Sequence, residues 1–137
     1  MKGQIIKYPD CAILVFSKAP VVGHVNTRLV PYITAEQAAS LHEELTHDRL
    51  HMCTTADLCD VQLWCSTDTR HPLFFDCRQR YGVRMQTQTG NNLGERMLAA
   101  LQKMLGRYKK IIIIGTDAPA LDIDTIDAVV NQLEHSD

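Results

Sequence analysis

The run Phe16-Ser17-Lys18-Ala19-Pro20-Val21-Val22-Gly23-His24-Val25-Asn26-Thr27-Arg28-Leu29 carries the residue types that hold a phosphate. Lys18 is a compact positive charge, Arg28 is a planar fork of donors, and Gly23 lets a backbone pass close to an anion. Each has a plainer use: Lys18 in water, Arg28 on a carboxylate, Gly23 in a turn. Their clustering favours the anion site. A second group is acidic. Asp117, in Gly115-Thr116-Asp117-Ala118-Pro119, would ligate a divalent cation or a ribose, or else cap the turn that Pro119 closes. The third group is Gln88-Thr89-Gly90-Asn91-Asn92-Leu93-Gly94-Glu95-Arg96. Its polar groups reach the same mouth, or Glu95 and Arg96 serve as a helix-start cap and a structural ion pair. Neither G-x-x-x-x-G-K-[ST] nor G-x-G-x-x-G occurs.

Four short apolar or β-branched segments must position these groups: 11–16, 61–66, 83–88 and 110–115. Helical patterns alternate with them, which predicts an α/β fold with a mostly parallel, Rossmann-like sheet and helices on both faces. The first and fourth segments, Ala-Ile-Leu-Val-Phe and Ile-Ile-Ile-Ile, lack polar alternation and so are expected to be central. Thr34 and Gln37 form a capping box for a helix with Ala38, Leu41, Leu45 and Met52 on one face. A second helix starts near Pro72 and fades at Tyr81-Gly82. A third carries Leu93, Met97, Ala100, Leu101, Met104 and Leu105, with Asn92 and Glu95 as a reciprocal cap. A fourth spans 124–134 with Ile126, Val129, Val130 and Leu133 inward. Right-handed crossovers then predict strand order 3-2-1-4, with the switch point between the first and fourth strands. That order brings Lys18 to Arg28 beside Asp117.

The bulk composition sets the limits. A chain of 137 residues with 45% apolar and 22% charged residues suits one domain. The net charge of −2 opposes general nucleic-acid binding, which draws on surplus Lys and Arg. No run approaches the roughly 20 apolar residues of a membrane span, and the start lacks a signal-peptide pattern, so a cytoplasmic protein is expected. Cys11, Cys53, Cys59, Cys65 and Cys77 include no C-x-x-C pair and read as reduced, buried thiols.

Together, F-S-K-A-P-V-V-G-H-V-N-T-R-L, N-L-G-E-R-M and G-T-D-A-P-A-L resemble the bacterial DUF2064, or "transferase 1", glycosyltransferase-like family. The resemblance implies the GT-A, nucleotide-diphospho-sugar transferase fold, with a more distant relation to the nucleotidyltransferases of molybdopterin and coenzyme F420 biosynthesis. It implies a nucleotide-sugar or nucleoside-triphosphate site with Mg²⁺ or Mn²⁺. By position, Lys18, Gly23 and Arg28 match the first motif, and Arg96 matches the second. Asp117 matches the aspartate that looks like the metal ligand of better-known GT-A enzymes. Arg28 and Asp117 are thereby the catalytic candidates, and Lys18, Gly23, Arg28, Asn92 and Arg96 the substrate-binding ones. Asn26 and Asn92 depart from the family's usual lysine and aspartate. Restoring Lys at 26 and Asp at 92 is expected to strengthen Mn²⁺-dependent nucleotide binding if the site is kept.

The chain is also shorter than the resembling proteins, which implies a donor-binding domain without the acceptor part. A shortened, catalytically impaired nucleotide-binding module is the alternative. In this order the isoleucine strand lies at an edge, so a homodimer covering that edge is expected. His47 and His51 have zinc spacing but no third ligand, so a wet helix face is the better reading. An inward Asp48 and a phosphate contact from His24 are weaker candidates. Ser17 shows no triad spacing.

Overall fold

A computed structural model describes residues 5–66, 68–116 and 121–135. The elements run β1 (Cys11–Lys18), a short 3-10 turn (Thr27–Leu29), α1 (Ala35–Thr55), β2 (Asp60–Ser66), α2 (Pro72–Tyr81), β3 (Arg84–Thr87), α3 (Leu93–Met104), β4 (Lys110–Ile114) and α4 (Ile123–Glu134). The four strands form one parallel sheet in the order β3-β2-β1-β4. The fold class and strand order are those expected.

Side chains of successive strand residues point to opposite faces, and this splits the core in two. Ile13, Val15 and Leu63 pack with Leu50 and Cys53 of α1, Phe74 of α2, and Ile126 and Val130 of α4. Ala12, Leu14, Phe16 and Trp64 pack with Ala100 and Met104 of α3. Three helices therefore cover one face and α3 the other. The central strands are β1 and β2, both buried almost throughout, whereas Lys110–Ile113 of β4 are only half-buried. An unbroken apolar run reports that both faces of a strand are covered; it is silent on rank across the sheet. Gln62, fully buried within β2, hid that strand's central place.

The helix ends follow local chemistry. Thr34 and Gln37 make the reciprocal capping box of α1. Asp122 caps α4 by accepting from the Thr125 N–H at 2.8 Å. Asn92 accepts from the Glu95 N–H at 2.9 Å, but the Glu95 carboxylate turns to the Asn91 N–H, one residue earlier than a reciprocal cap requires.

Three helix faces differ from the apolar pattern. On α1 the buried residues are Ala38, Ala39, His42, Thr46, Arg49, Leu50 and Cys53, while Leu41 is exposed. The polar residues face inward because β1 ends beneath them with polar groups of its own. On α4, Ile126 and Val130 are buried but Val129 is exposed. On α3 only Ala100 and Met104 are fully buried, and Leu93 is 61% exposed.

All five cysteines are free and buried. Burial pushes the Cys53 thiol up to about 11, and Cys65 and Cys77 to about 12, which keeps them unreactive near neutrality. No helix among the described residues is long and apolar enough to cross a membrane.

Asp127 of α4 ties down the segment before β1, accepting from the Tyr8 hydroxyl at 2.7 Å and the Lys7 ammonium at 3.0 Å. Those two bonds hold its carboxyl below the ordinary 3.8. A depressed folded-state value stabilises the fold above the unfolded value and loses that contribution as pH falls through the folded one. Thermal midpoints of the wild type are therefore expected to fall as the pH drops below about 4. Asp127→Asn should flatten part of that fall, leaving a smaller difference between pH 6 and pH 3 than in the wild type.

Candidate functional site

The carboxyl ends of β1, β2 and β4 and the segment after β3 open onto one cleft of about 450 Å³. Its lining includes Lys18, Asn26, Thr27, Arg28, His42, Ser66, Gln88, Arg96 and Thr116. Three of the basic residues singled out by sequence, Lys18, Arg28 and Arg96, thus meet across about eighty positions of chain. Parallel pairing does this, because it places every strand's carboxyl end on the same side.

Lys18 ends β1, and its ammonium donates to the His24 carbonyl at 3.3 Å, so the lysine folds the loop back over the strand end. Gly23 does not line the cleft. Its φ of +87° explains the glycine, since a Cβ there would meet nothing within 4 Å. The glycine thus has a use in the turn. Asn92 does not line the cleft either, since its side-chain oxygen is spent on the α3 cap. Asp117 lies outside the described residues, with 118–120. His24 and Asp48 are exposed and absent from the lining. His47 is not on a wet face: its Nδ1 lies 2.7 Å from the Tyr81 hydroxyl, bridging α1 to α2.

Asn26 has a structural task. It takes φ 51°, a left-handed backbone that asparagine tolerates better than lysine, and its amide donates to the Ala38 carbonyl at 3.1 Å. The loop is thereby pinned to the first turn of α1. Asn26→Lys removes that bond and strains the turn, so it should lower stability by about 1–2 kcal/mol. Urea denaturation would measure the loss. Asn92→Asp keeps an acceptor at the cap and adds charge at a helix amino end, where it is favourable. It should leave the midpoint near the wild-type value.

Polar contacts at and beneath the cleft were invisible to pattern reading. Ser17, 2% exposed, shares a hydrogen bond with Thr46 at 2.9 Å and lies 3.3 Å from His42 Nε2. The same Nε2 lies 2.8 Å from the Lys18 carbonyl. A carbonyl can only accept, so Nε2 carries the proton and donates there. His42 in that state is no base for Ser17, and the cluster instead fixes the end of β1. Arg49, one turn further along α1 and 5% exposed, donates to the Leu121 carbonyl at 3.2 Å, and its Nε and Nη2 have no partner among the described residues. These polar residues fall on a helix face whose apolar neighbours mislead, and only burial reveals them.

The described lining holds no carboxylate and three cationic side chains, so it offers ligands to an anion. Among the described residues, no group of three or more His, Cys, Asp and Glu could hold a metal ion.

Comparison with known proteins agrees with this architecture. A crystal structure from Desulfovibrio desulfuricans G20, provisionally named a nucleotide-diphospho-sugar transferase, aligns with a TM-score of 0.81 and 28% identity. The alignment covers 94% of this chain and 56% of that one, so the chain spans a little over half the length of the protein it matches. No curated protein matches. Residues 49–137 match the family described as "Uncharacterized protein conserved in bacteria (DUF2064)", a match that begins after the Lys18 to Arg28 loop. With its second and third motifs inside that match, which covers more than half of the sequence, the chain belongs to the DUF2064 family.

Proposed function

We propose that the cleft binds a nucleotide-diphosphate sugar, with the diphosphate against Lys18 and Arg28, as the donor in glycosyl transfer. The observation that carries this reading is the convergence of Lys18, Arg28 and Arg96 on one cleft at the strand ends. Cations already gathered at a cleft stabilise a leaving diphosphate with little reorganisation. The match to a protein provisionally named a nucleotide-diphospho-sugar transferase supports the same donor class. In this reading Asp117 ligates Mg²⁺ or Mn²⁺, which would supply further charge neutralisation of the diphosphate. We place the protein in the cytoplasm, where reduced buried thiols are the norm.

A thermal-shift series with nucleotide sugars and nucleoside triphosphates, each with and without Mn²⁺, tests the reading. A ligand at about 100 times its dissociation constant should add roughly 2.7 kcal/mol of stability. Triphosphates shifting the midpoint more than sugar nucleotides would favour nucleotidyl transfer in the same cleft. No shift with any nucleotide overturns the function.

Among the described residues β4 pairs only with β1, leaving its other edge open and Ile111 to Ile113 half-exposed. A second copy covering that edge is part of the proposal. Light scattering that reads a monomer at micromolar concentration would reject it.

A further inference from the structure

The packing of α1 does not account for Arg49. The side chain is 5% exposed, and its guanidinium donates through Nη1 to the Leu121 carbonyl at 3.2 Å. Nε and Nη2 are sealed from solvent and have no partner among the described residues. No carboxylate of the described residues forms an ion pair with Arg49. A guanidinium stays protonated in proteins, so the charge cannot be shed to relieve its burial. Buried ions that are paired often contribute nothing to stability, and an unpaired one is costlier still. A cost of that kind points to a use outside packing.

The helix sets this charge behind the cleft. His42 lines the cleft, Thr46 bonds to Ser17, which also lines it, and Arg49 follows three residues later on the same inward face. The seven residues of helix from His42 to Arg49 span about 10 Å. From the other side, Leu121 stands five residues after Thr116, a lining residue just past β4. Arg49 therefore lies beneath the switch point between β1 and β4. Leu50 and Cys53, its neighbours on α1, are fully buried, so little water stands on the core side to screen its field.

We infer that Arg49 is a positioning residue for the phosphates, a buried charge whose field draws them into the cleft without touching them. The inference rests on the donor reading above and adds a cation behind the lining to Lys18, Arg28 and Arg96. At an effective dielectric constant of about 20, a unit charge about 10 Å from a single ligand charge is worth roughly tenfold in affinity. The effect grows with the charge of the ligand.

Titration calorimetry of the mono-, di- and triphosphates of uridine and guanosine against the wild type, Arg49→Gln and Arg49→Lys is the test. Glutamine loses the charge and keeps a donor for the Leu121 carbonyl, whereas lysine keeps the charge. Arg49→Gln should weaken diphosphate binding by about tenfold, with a loss that grows from mono- to di- to triphosphate, and Arg49→Lys should recover most of it. Added salt should reduce this loss less than it reduces the loss in Arg28→Met, because Arg28 is exposed and a buried charge is screened less. The thermal midpoint of Arg49→Gln should match or exceed that of the wild type, since the variant removes an unpaired buried charge. A loss below about threefold, a loss equal across the three phosphate states, or an Arg49→Gln protein that is less stable or unfolded would overturn the inference and leave Arg49 as a clamp between α1 and the start of α4. No binding of any of these nucleotides to the folded wild type would overturn the donor reading, and this inference with it.

Discussion

Gly90→Ala is expected to lower the unfolding free energy by about 3 kcal/mol and the thermal midpoint by roughly 10 °C. Gly90 has φ +134°, a conformation that side-chain-bearing residues rarely adopt. A Cβ built there would lie 2.8 Å from Glu95 Cβ and 2.9 Å from the Arg96 backbone nitrogen. The second atom belongs to the first turn of α3, whose N–H donates to the Asn92 carbonyl at 3.0 Å, so it cannot retreat without opening the helix. The same displacement would break the bond from Arg96 Nε to the Gly90 carbonyl and release a cation of the cleft. Two other glycines supply the controls. Gly23 has φ +87° with open space around it, so Gly23→Ala should cost only the backbone strain, about 1 kcal/mol. Gly106 has neither a positive φ nor a close neighbour, so Gly106→Ala should change stability by less than about 1 kcal/mol. Differential scanning calorimetry of the three variants reads the whole series, and a Gly90→Ala midpoint within 2–3 °C of wild type would show that the loop yields.

Removing the charges of the first loop is expected to have the largest effect on binding. The double substitution Lys18→Met and Arg28→Met should weaken nucleotide-diphosphate affinity by about a hundredfold or more. Each charge-assisted contact to a phosphate contributes roughly 1.5–3 kcal/mol. Methionine keeps much of the apolar stem and so limits packing losses. Lys18 also holds the His24 carbonyl, and Arg28→Met alone is the companion single variant, with an expected loss of about tenfold or more. Affinity should also weaken as salt is raised, and less steeply in the double variant. Calorimetric titration at two ionic strengths checks both. A double variant within threefold of wild type would show that the loop does not hold the phosphates.

The fold was legible because its signals are local or periodic. The capping box at Thr34 and Gln37, Pro72 opening α2 and the apolar run 12–16 each act over a few residues, and each stands where expected. The site was legible in its cations for a related reason. Once the strands are parallel, residues just past their carboxyl ends must share one side of the sheet, which Lys18, Arg28 and Arg96 do. The resemblance to DUF2064 added the donor class, which composition and spacing alone do not carry.

The misreadings share a cause. Leu41 and Leu45 form a tidy apolar stripe on α1, yet His42, Thr46 and Arg49 turn inward, because the end of β1 supplies Ser17 and the Lys18 carbonyl as partners. Asn26 and Asn92 stand where the resembling family usually has lysine and aspartate, and their side chains bond to Ala38 and Glu95, of which local pattern foretells only the Asn92 cap.

By itself the sequence determined the parallel α/β architecture, the helix ends, and the placing of basic residues at the strand ends, since each follows from short-range chemistry and period. Only the tertiary structure decided which polar side chains are already satisfied and which are not. Ser17, one residue before the end of β1, and Ser66, at the end of β2, are both serines, yet one hydroxyl is bonded to Thr46 and the other has no partner among the described residues. That difference depends on what α1 and α3 bring within 3 Å, a through-space fact that no local pattern encodes.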